Sequence, residues 1–535
     1  MYTNPIILSD YSDPDAIRVG NVYYMTASSF NYTPGLPLLM SNDLVEWKLV
    51  GYAAKNLPFE HFDNPLQSKG IWAPSIRYHD GRFIITVGLP DEGIFVTESS
   101  DFTGDWSPLR CVWKGKGFID PCPYWDSDGK AYIVHAYAKS RIGFKSRIGL
   151  LDADPKTLLC SGEDRFIFNG EETQPTIEGP KVYERNGFVY IMAPAGGVKC
   201  GWQTALRAKS IEGPFEERIV LHQGSSHING PHQGAFIDST DGKSWFLHFQ
   251  DRGIYGRVTL LEPAGWKDDW PLMGTGVETG TWPGEPVDSF ESPYSSETFA
   301  VAGTDAAECS DDFISGKPAL QWQWQANHKE NFVVPHDGDF LRLAALSLGK
   351  SKTIWDYPAV LTEKISSESF EAIFSLDAGG LERGGRSGVL FSGGQYASIG
   401  IEHGEDGKWK LFYLESENGA DSESRLEVEK DSFPLPDDFC IADLSFSIIF
   451  RANPVNKVDA DEGNADKTKP ASGRCVFSAK CGNFAWKPDV DAYEPRGNHW
   501  TGGRIGMFTQ SLCGNDGGYS DVKSVKVSSI YQKKE

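Results

Sequence analysis

Apolar and polar residues alternate in short bursts along this chain, and the bursts recur. Five segments share one pattern: a small or charged residue, Pro or Gly, a short apolar run, a Gly-bearing turn and an aromatic-rich run. They read "DPDAIRVGNVYYMTAS" from Asp13, "APSIRYHDGRFIITVG" from Ala73, "DPCPYWDSDGKAYIVHA" from Asp120, "EGPKVYERNGFVYIMAP" from Glu178 and "HQGAFIDSTDGKSWFLHF" from His232. Alternation around such a turn predicts a β-hairpin in each. Further short strands lie between them, such as "PLLMSNDLVEWKLVG", "GIFVTESS", "IGLLDADP" and "TALRAKSIEGP". The starts are 47 to 60 residues apart. About four short strands in each such unit is the arithmetic of a β-propeller blade. The predicted fold class is therefore all-β, with a five-bladed propeller over residues 1–300. An array of β-sandwiches would also space its strands evenly, but the repeated entry into each hairpin favours the propeller.

The pattern stops after "WPGEPVDSFESPYSSETFAVAGTDAAECSDD", a Ser-, Asp- and Ala-rich stretch that reads as a linker. Beyond it, runs such as "FEAIFSLD", "YASIGIEH" and "LSFSIIF" alternate cleanly. They predict half-buried antiparallel sheets, hence a β-sandwich (jelly-roll-like) over residues 311–535. Trp322 and Trp324 alternate with Gln, so both rings face one side, and they read as core rather than as a sugar platform. The segment from Asn456 to Ser472 is nearly devoid of apolar residues and reads as a long surface loop.

Composition narrows the function. The 535 residues include 16 Trp, 20 Tyr, 31 Phe and 57 Gly, which agrees with an aromatic-rich all-β chain. A net charge of −23 argues against nucleic acid or an anionic membrane as partner. Nine cysteines without metal-like spacing suggest free thiols in a reducing compartment. The N-terminal residues show no basic, apolar leader, so the expected location is cytoplasmic; a secreted protein that had lost its leader would read the same. Oligomeric state is left open, a homo-oligomer included.

Overlaying the repeats on their hairpins puts Asp13, Trp72, Asp120, Glu178 and His232 at about the same place in successive blades. Innermost strands line a propeller's channel, so these residues converge on one end of it. A repeat needs no such polar set for stability. Two carboxylates across a pocket are what glycosidic cleavage needs: one gives a proton to the leaving oxygen, the other activates water or attacks carbon. A third carboxylate nearby raises the acid's pKa, and a Trp stacks on sugar. Asp15 would share a strand face with Asp13, so periodicity alone does not choose between them. Asp10 reads as a turn or hydrogen-bonding residue.

These motifs, together with "NPIILSDYSDPDAIRVGNVYYMTASSF", "GIWAPSIRYHDGRFI", "TIEGPKVYERNGFVYI" and "GRVTLLEPAGWKDDWPLMG", resemble glycoside hydrolase family 43. Its members are inverting β-xylosidases and α-L-arabinofuranosidases on a five-bladed propeller. The likeness continues into "DDFISGKPALQWQWQANH", similar to the start of the sandwich in the xylosidase branch. The resemblance implies that Asp13 is the general base, Glu178 the general acid and Asp120 the residue that tunes and orients the acid. It places Phe30 and Trp72 around the terminal sugar and Arg257 on a sugar hydroxyl, the alternative for Arg257 being a salt bridge to a site carboxylate. His232 matches a histidine beside a central ion or ordered water, often calcium, although no oxygen-ligand set for calcium can be assembled from this sequence. No cofactor is expected to be required.

The expected activity is exo-acting, inverting release of terminal xylose from β-1,4-xylooligosaccharides. The alternatives are an α-L-arabinofuranosidase or dual-specificity enzyme, an endo-arabinanase with an open cleft, a retaining fructosyl hydrolase and a non-catalytic carbohydrate-binding protein. "IEGP" occurs twice, but only the Glu178 copy opens a blade hairpin; Glu212 reads as structural.

Overall fold

A computed structural model describes residues 1–294, 301–349, 353–419, 422, 424–453 and 472–530. The loop expected at 456–472 falls, except for Ser472, outside these residues. The protein is all-β. Its described α-helices, Lys139–Ile142 and Gly276–Thr279, are single turns. Among the described residues no helix is long and apolar enough to cross a membrane.

The five repeated segments open five successive antiparallel sheets, each built from four strands in chain order. The first runs Asp15–Val19, Val22–Thr26, Gly35–Ser41 and Lys48–Ala54. The second opens with Trp72–His79 and the third with Phe118–Trp125. The fourth opens with Lys181–Arg185 and the fifth with His232–Asp238. Each first hairpin is tight where the sequence places a Gly turn. Between Arg185 and Phe188, for example, Asn186 and Gly187 both have positive φ, 52° and 72°, as a type I′ turn requires.

Apolar residues on the sheet faces explain how the sheets associate. Ile85 and Val87 of the second sheet share a core with Leu36 and Leu38 of the first. Ile94 and Val96 of the second meet Ile133 and Leu151 of the third. Val134 and Leu150 of the third meet Ile191 and Leu206 of the fourth, and Met192 of the fourth meets Phe246 of the fifth. Leu247 and Leu261 of the fifth then pack with Met25 and Leu39 of the first. Every sheet is thus buried on both faces, and the series returns to its start.

The stretch read as a linker is partly tied down. Ser289–Phe290 pairs with Tyr2–Thr3, and Thr304–Asp305 adds a fifth strand to the first sheet beside Lys48 and Leu49. Open sheet edges recruit such segments because their N–H and C=O groups are unpaired.

Among the described residues, the remaining chain forms sheets of eight and six strands. Phe391, Ile399 and Phe412 of one share a core with Phe374, Phe446 and Phe477 of the other. Phe370–Asp377 and Leu444–Ala452 alternate in burial as their sequences predict. Gly385–Ser392 and Arg504–Ser511 are buried throughout, because they lie in the middle of their sheet and their second face is covered. Trp322 and Trp324 lie in this core, while Ile254, Tyr255 and Val258 of the N-terminal half extend it. Between the tryptophans the Gln323 side chain turns to the N-terminal half and donates to Pro34 O at 2.8 Å, and Asn31 donates to the backbone carbonyl of Gln325 at 2.8 Å. The two halves are packed together, not merely strung.

Candidate active site

The entry to each of the five sheets carries one extra residue at the same place. The pair Trp72–Gly88 is followed by Ser75–Thr86, Ile119–Ala136 by Cys122–Val134 and His232–Phe249 by Gly234–His248. In the first sheet Ser28 N–H donates to Ser12 O ahead of the Asp15–Thr26 pair. In the fourth, Glu178 N–H donates to Pro194 O ahead of Lys181–Met192. One residue in each bulge has left-handed backbone: Asp13 (φ 53°), Ala73 (24°), Asp120 (55°), Gly179 (58°) and Gln233 (37°).

This geometry corrects the overlay made on the sequence. Asp13 and Asp120 occupy the left-handed position, whereas Trp72, Glu178 and His232 stand one residue earlier. A bulge opposes two residues to one and re-aims their side chains, so neighbours as close as Trp72 and Ala73, or Ile119 and Asp120, line the same pocket. Strict alternation would send such adjacent residues to opposite faces.

The pocket brings together Asp13, Asp120, Glu178, Phe30, Trp72 and Arg257. Asp13 is buried and fully engaged. Its Oδ1 accepts from Arg257 Nη1 at 2.7 Å, and its Oδ2 accepts from the hydroxyls of Ser28 at 2.6 Å and Ser12 at 3.2 Å. Arg257 therefore makes the salt bridge weighed as its alternative role, while still lining the pocket. Asp120 Oδ2 accepts from Gly179 N–H at 2.8 Å. Burial pushes the Asp120 carboxyl up to about 8, and the charges of Glu178 and Asp13 add to this against Lys181 and the Gly179 amide. Asp120 thus holds a proton near neutral pH.

A stability consequence follows. The folded Asp120 carboxyl lies above its ordinary value of 3.8, so between that value and about 8 the folded state binds a proton that the unfolded state lacks. Stability from this group is full at low pH and is lost as pH rises through the window. The melting temperature of the wild type should fall more steeply with pH than that of Asp120→Asn, as thermal melts from pH 4 to pH 9 would measure; parallel curves would contradict it.

His232 is 1% exposed and is not among the residues that line the pocket. Its Nε2 lies 2.8 Å from Glu178 Oε1, so it orients Glu178 rather than meeting sugar directly. Calcium beside His232, left possible by the resemblance, finds no cluster of side-chain ligands there. Among the described residues no group of three or more His, Cys, Asp or Glu is placed to hold a metal.

Asp15 is buried below the mouth, where its Oδ2 accepts from Ile76 N–H and Arg77 Nη1, both at 2.8 Å. That separates it from Asp13. Glu212 lies far out on the surface, 3.6 Å from Arg165.

Four pocket residues were missed, the apolar Ala73 and Ile119 and two that can contact sugar through an amide or a ring. Gln233 follows His232 and occupies the fifth left-handed position; the recurrence of the bulge was the signal for it. Trp500 comes from the C-terminal half. Its ring lies 6.0 Å from that of Trp72 and 5.3 Å from the Arg257 guanidinium. No local pattern marks it, because its role exists only once the halves are packed.

Three carboxyls in one pocket, one of them held protonated near neutral pH, set between aromatic walls and a buried arginine, are equipment for acid–base attack on a sugar; the class is glycoside hydrolase. Residues 2–271 match the family model Glycosyl hydrolases family 43, and the chain belongs to that family. Residues 310–528 match the beta xylosidase C-terminal concanavalin A-like domain. A Xylanibacter ruminicola protein is 38% identical over 403 residues, 75% of this chain and 72% of its own. A beta-xylosidase of Formosa agariphila is 30% identical over 466 residues, 77% of each chain. A non-reducing end alpha-L-arabinofuranosidase of Bacteroides ovatus is 31% identical over 297 residues, 51% of this chain and 53% of its own. The solved xylan beta-1,4-xylosidase of Bacillus halodurans superposes with a TM-score of 0.79 at 19% identity, covering 99% of this chain and 100% of that one.

Proposed function

We propose that this chain is an exo-acting, inverting hydrolase that releases terminal xylose from β-1,4-xylooligosaccharides. In this reading the five sheets are the blades of a propeller over residues 1–300, and residues 311–535 form a β-sandwich. Asp13 takes a proton from water, whose oxygen attacks the anomeric carbon. Glu178 gives its proton to the departing glycosidic oxygen. Asp120 keeps Glu178 supplied and oriented, and Arg257 both sets Asp13 and offers donors to a sugar hydroxyl. Room for the water requires base and acid carboxyls roughly 6.5–9.5 Å apart.

The observation that carries exo action is Trp500. A residue of the C-terminal half stands against Trp72 in the pocket, and an aromatic wall supplied from outside the five sheets favours a pocket for a chain end over an open cleft. The preference for xylose rests on the beta-xylosidase relative that aligns with both halves. Proton NMR of the xylose first released from an aryl β-xyloside, whose leaving group brings no second sugar, tests the mechanism: α-xylose is expected, and initial β-xylose would refute inversion. Product analysis on long xylan tests exo action, with internal fragments counting against it.

Similarity to an alpha-L-arabinofuranosidase over the N-terminal half favours a second reading, in which arabinofuranose is also cleaved. Rates on the two nitrophenyl pentosides separate the readings. Trp500→Ala is expected to raise KM for xylobiose about tenfold, through loss of one stacking wall, with kcat changed less.

A further inference from the structure

Asp10 was read from the sequence as a turn or hydrogen-bonding residue, and the mechanism above does not use it. The structure shows which bonds it makes. It is 6% exposed. Its Oδ1 accepts from the backbone N–H of Arg257 at 2.9 Å, and its Oδ2 accepts from the backbone N–H of Gly502 at 3.0 Å. One donor belongs to the fifth sheet, the other to the loop that carries Trp500. Two oxygens serving two amides is work for a carboxylate; an Asn offers one oxygen and would turn an N–H toward the second amide.

The backbones around it approach closely. A Cβ on Gly256 would lie 2.5 Å from Asp10 Cγ and 2.7 Å from Gly502 N. A Cβ on Gly502 would lie 2.6 Å from Gly256 N. Gly503 N–H adds a bond to Ile254 O at 2.6 Å. The loop is thereby seated on residues 254–257 with no side chain between. Asp10 holds Arg257 by its own amide and Trp500 through the amide of Gly502, two residues further along the same loop; both side chains line the pocket, Arg257 bonded to Asp13 and Trp500 beside the Arg257 guanidinium.

We infer that Asp10 is a positioning residue of the active site, a clamp that fixes the Trp500 loop of the C-terminal half against the backbone of Arg257. The inference rests on the reading that Arg257 and Trp500 bind the terminal sugar. With Asp10 in place the pocket is assembled before substrate arrives; without it the loop must be ordered at the expense of binding.

The test uses the full chain with Asp10→Asn, Trp500→Ala and the double variant. Asp10→Asn should raise KM for xylobiose about tenfold, the effect of losing one charge-assisted hydrogen bond, with kcat changed less than threefold. In the Asp10→Asn background, Trp500→Ala should add less than twofold, since one loop carries both effects. An unchanged KM, or effects that multiply in full, would overturn the inference. Hydrogen exchange gives a readout independent of turnover: the Gly502 amide should lose protection in Asp10→Asn while the amides of Phe370–Asp377 keep theirs. If the wild type cleaves no pentoside, the proposed function fails, yet retained Gly502 protection would still count separately against the clamp. Should Asp10→Asn not fold, Gly502→Ala displaces the loop from the other side and must raise KM similarly; an unchanged KM there refutes the clamp.

Discussion

Asp13→Asn should fold and should lower kcat on the order of 10³- to 10⁴-fold on every pentoside, whatever its leaving group. The substitution keeps the side chain's shape. Arg257 Nη1 can still donate to the amide oxygen, and the Ser12 and Ser28 hydroxyls can rotate to meet the NH₂ group, so the surroundings of the carboxyl survive. What disappears is the basic oxygen that takes the water's proton. Arg257 also loses a buried counter-charge, so a melting temperature lowered by several degrees is expected, without loss of cooperativity. Because the charge of Asp13 helps raise the Asp120 carboxyl, the alkaline limb of any residual activity should move to lower pH. Full activity in this variant would remove Asp13 from the mechanism. Asp13→Gly tests the same point by gain: azide added to it should yield the α-xylosyl azide from an aryl β-xyloside, since a small anion can enter where the base stood and attack from the same side.

Glu178→Gln should separate substrates by leaving group. Xylobiose, whose departing alkoxide needs a proton, should lose on the order of 10³-fold or more in kcat. A dinitrophenyl xyloside, whose phenolate leaves unaided, should lose less than about tenfold. Glu212→Gln provides the control. That residue stands in an exposed ion pair with Arg165, and its loss should leave both rates within twofold. Equal losses on the two substrates would mean that Glu178 acts by holding sugar or His232 rather than by giving a proton.

Much of this site was legible because chemistry and repeat coincide. The turn signals and alternation gave five hairpins, and five hairpins in series brought Asp13, Asp120 and Glu178 to one end. The fine register was not legible. Period-two alternation assumes an unbroken ladder, and the extra residue at each sheet's entry breaks it where function sits. That is why Trp72 and Asp120 were overlaid although they stand one residue apart, and why Gln233 was passed over for His232. Trp500 and Asp10 were illegible for another reason. Their meaning comes from contacts across 492 residues of chain, from Asp10 to Gly502, and no local window contains both partners. The tryptophans of "LQWQWQ" show the reverse case, where alternation alone assigned the rings to the core.

The repeated bulge also bears on how such a pocket can be remodelled. It separates what the sheets need from what the mouth displays. The strands downstream are held by ordinary pairing from Asp15, Ser75, Cys122 and Lys181 onward, while the displayed residues hang on short spurs ahead of them. Of these spurs Ala73 and Ile119 carry no polar group, although both face the pocket. They are vacant sockets in an otherwise wired ring. A library confined to Ala73 and Ile119 could graft new donors beside the acid and base, and so trade one pentose for another, at the expense only of the small cluster that Ile119 forms with Ala136 and Ala138.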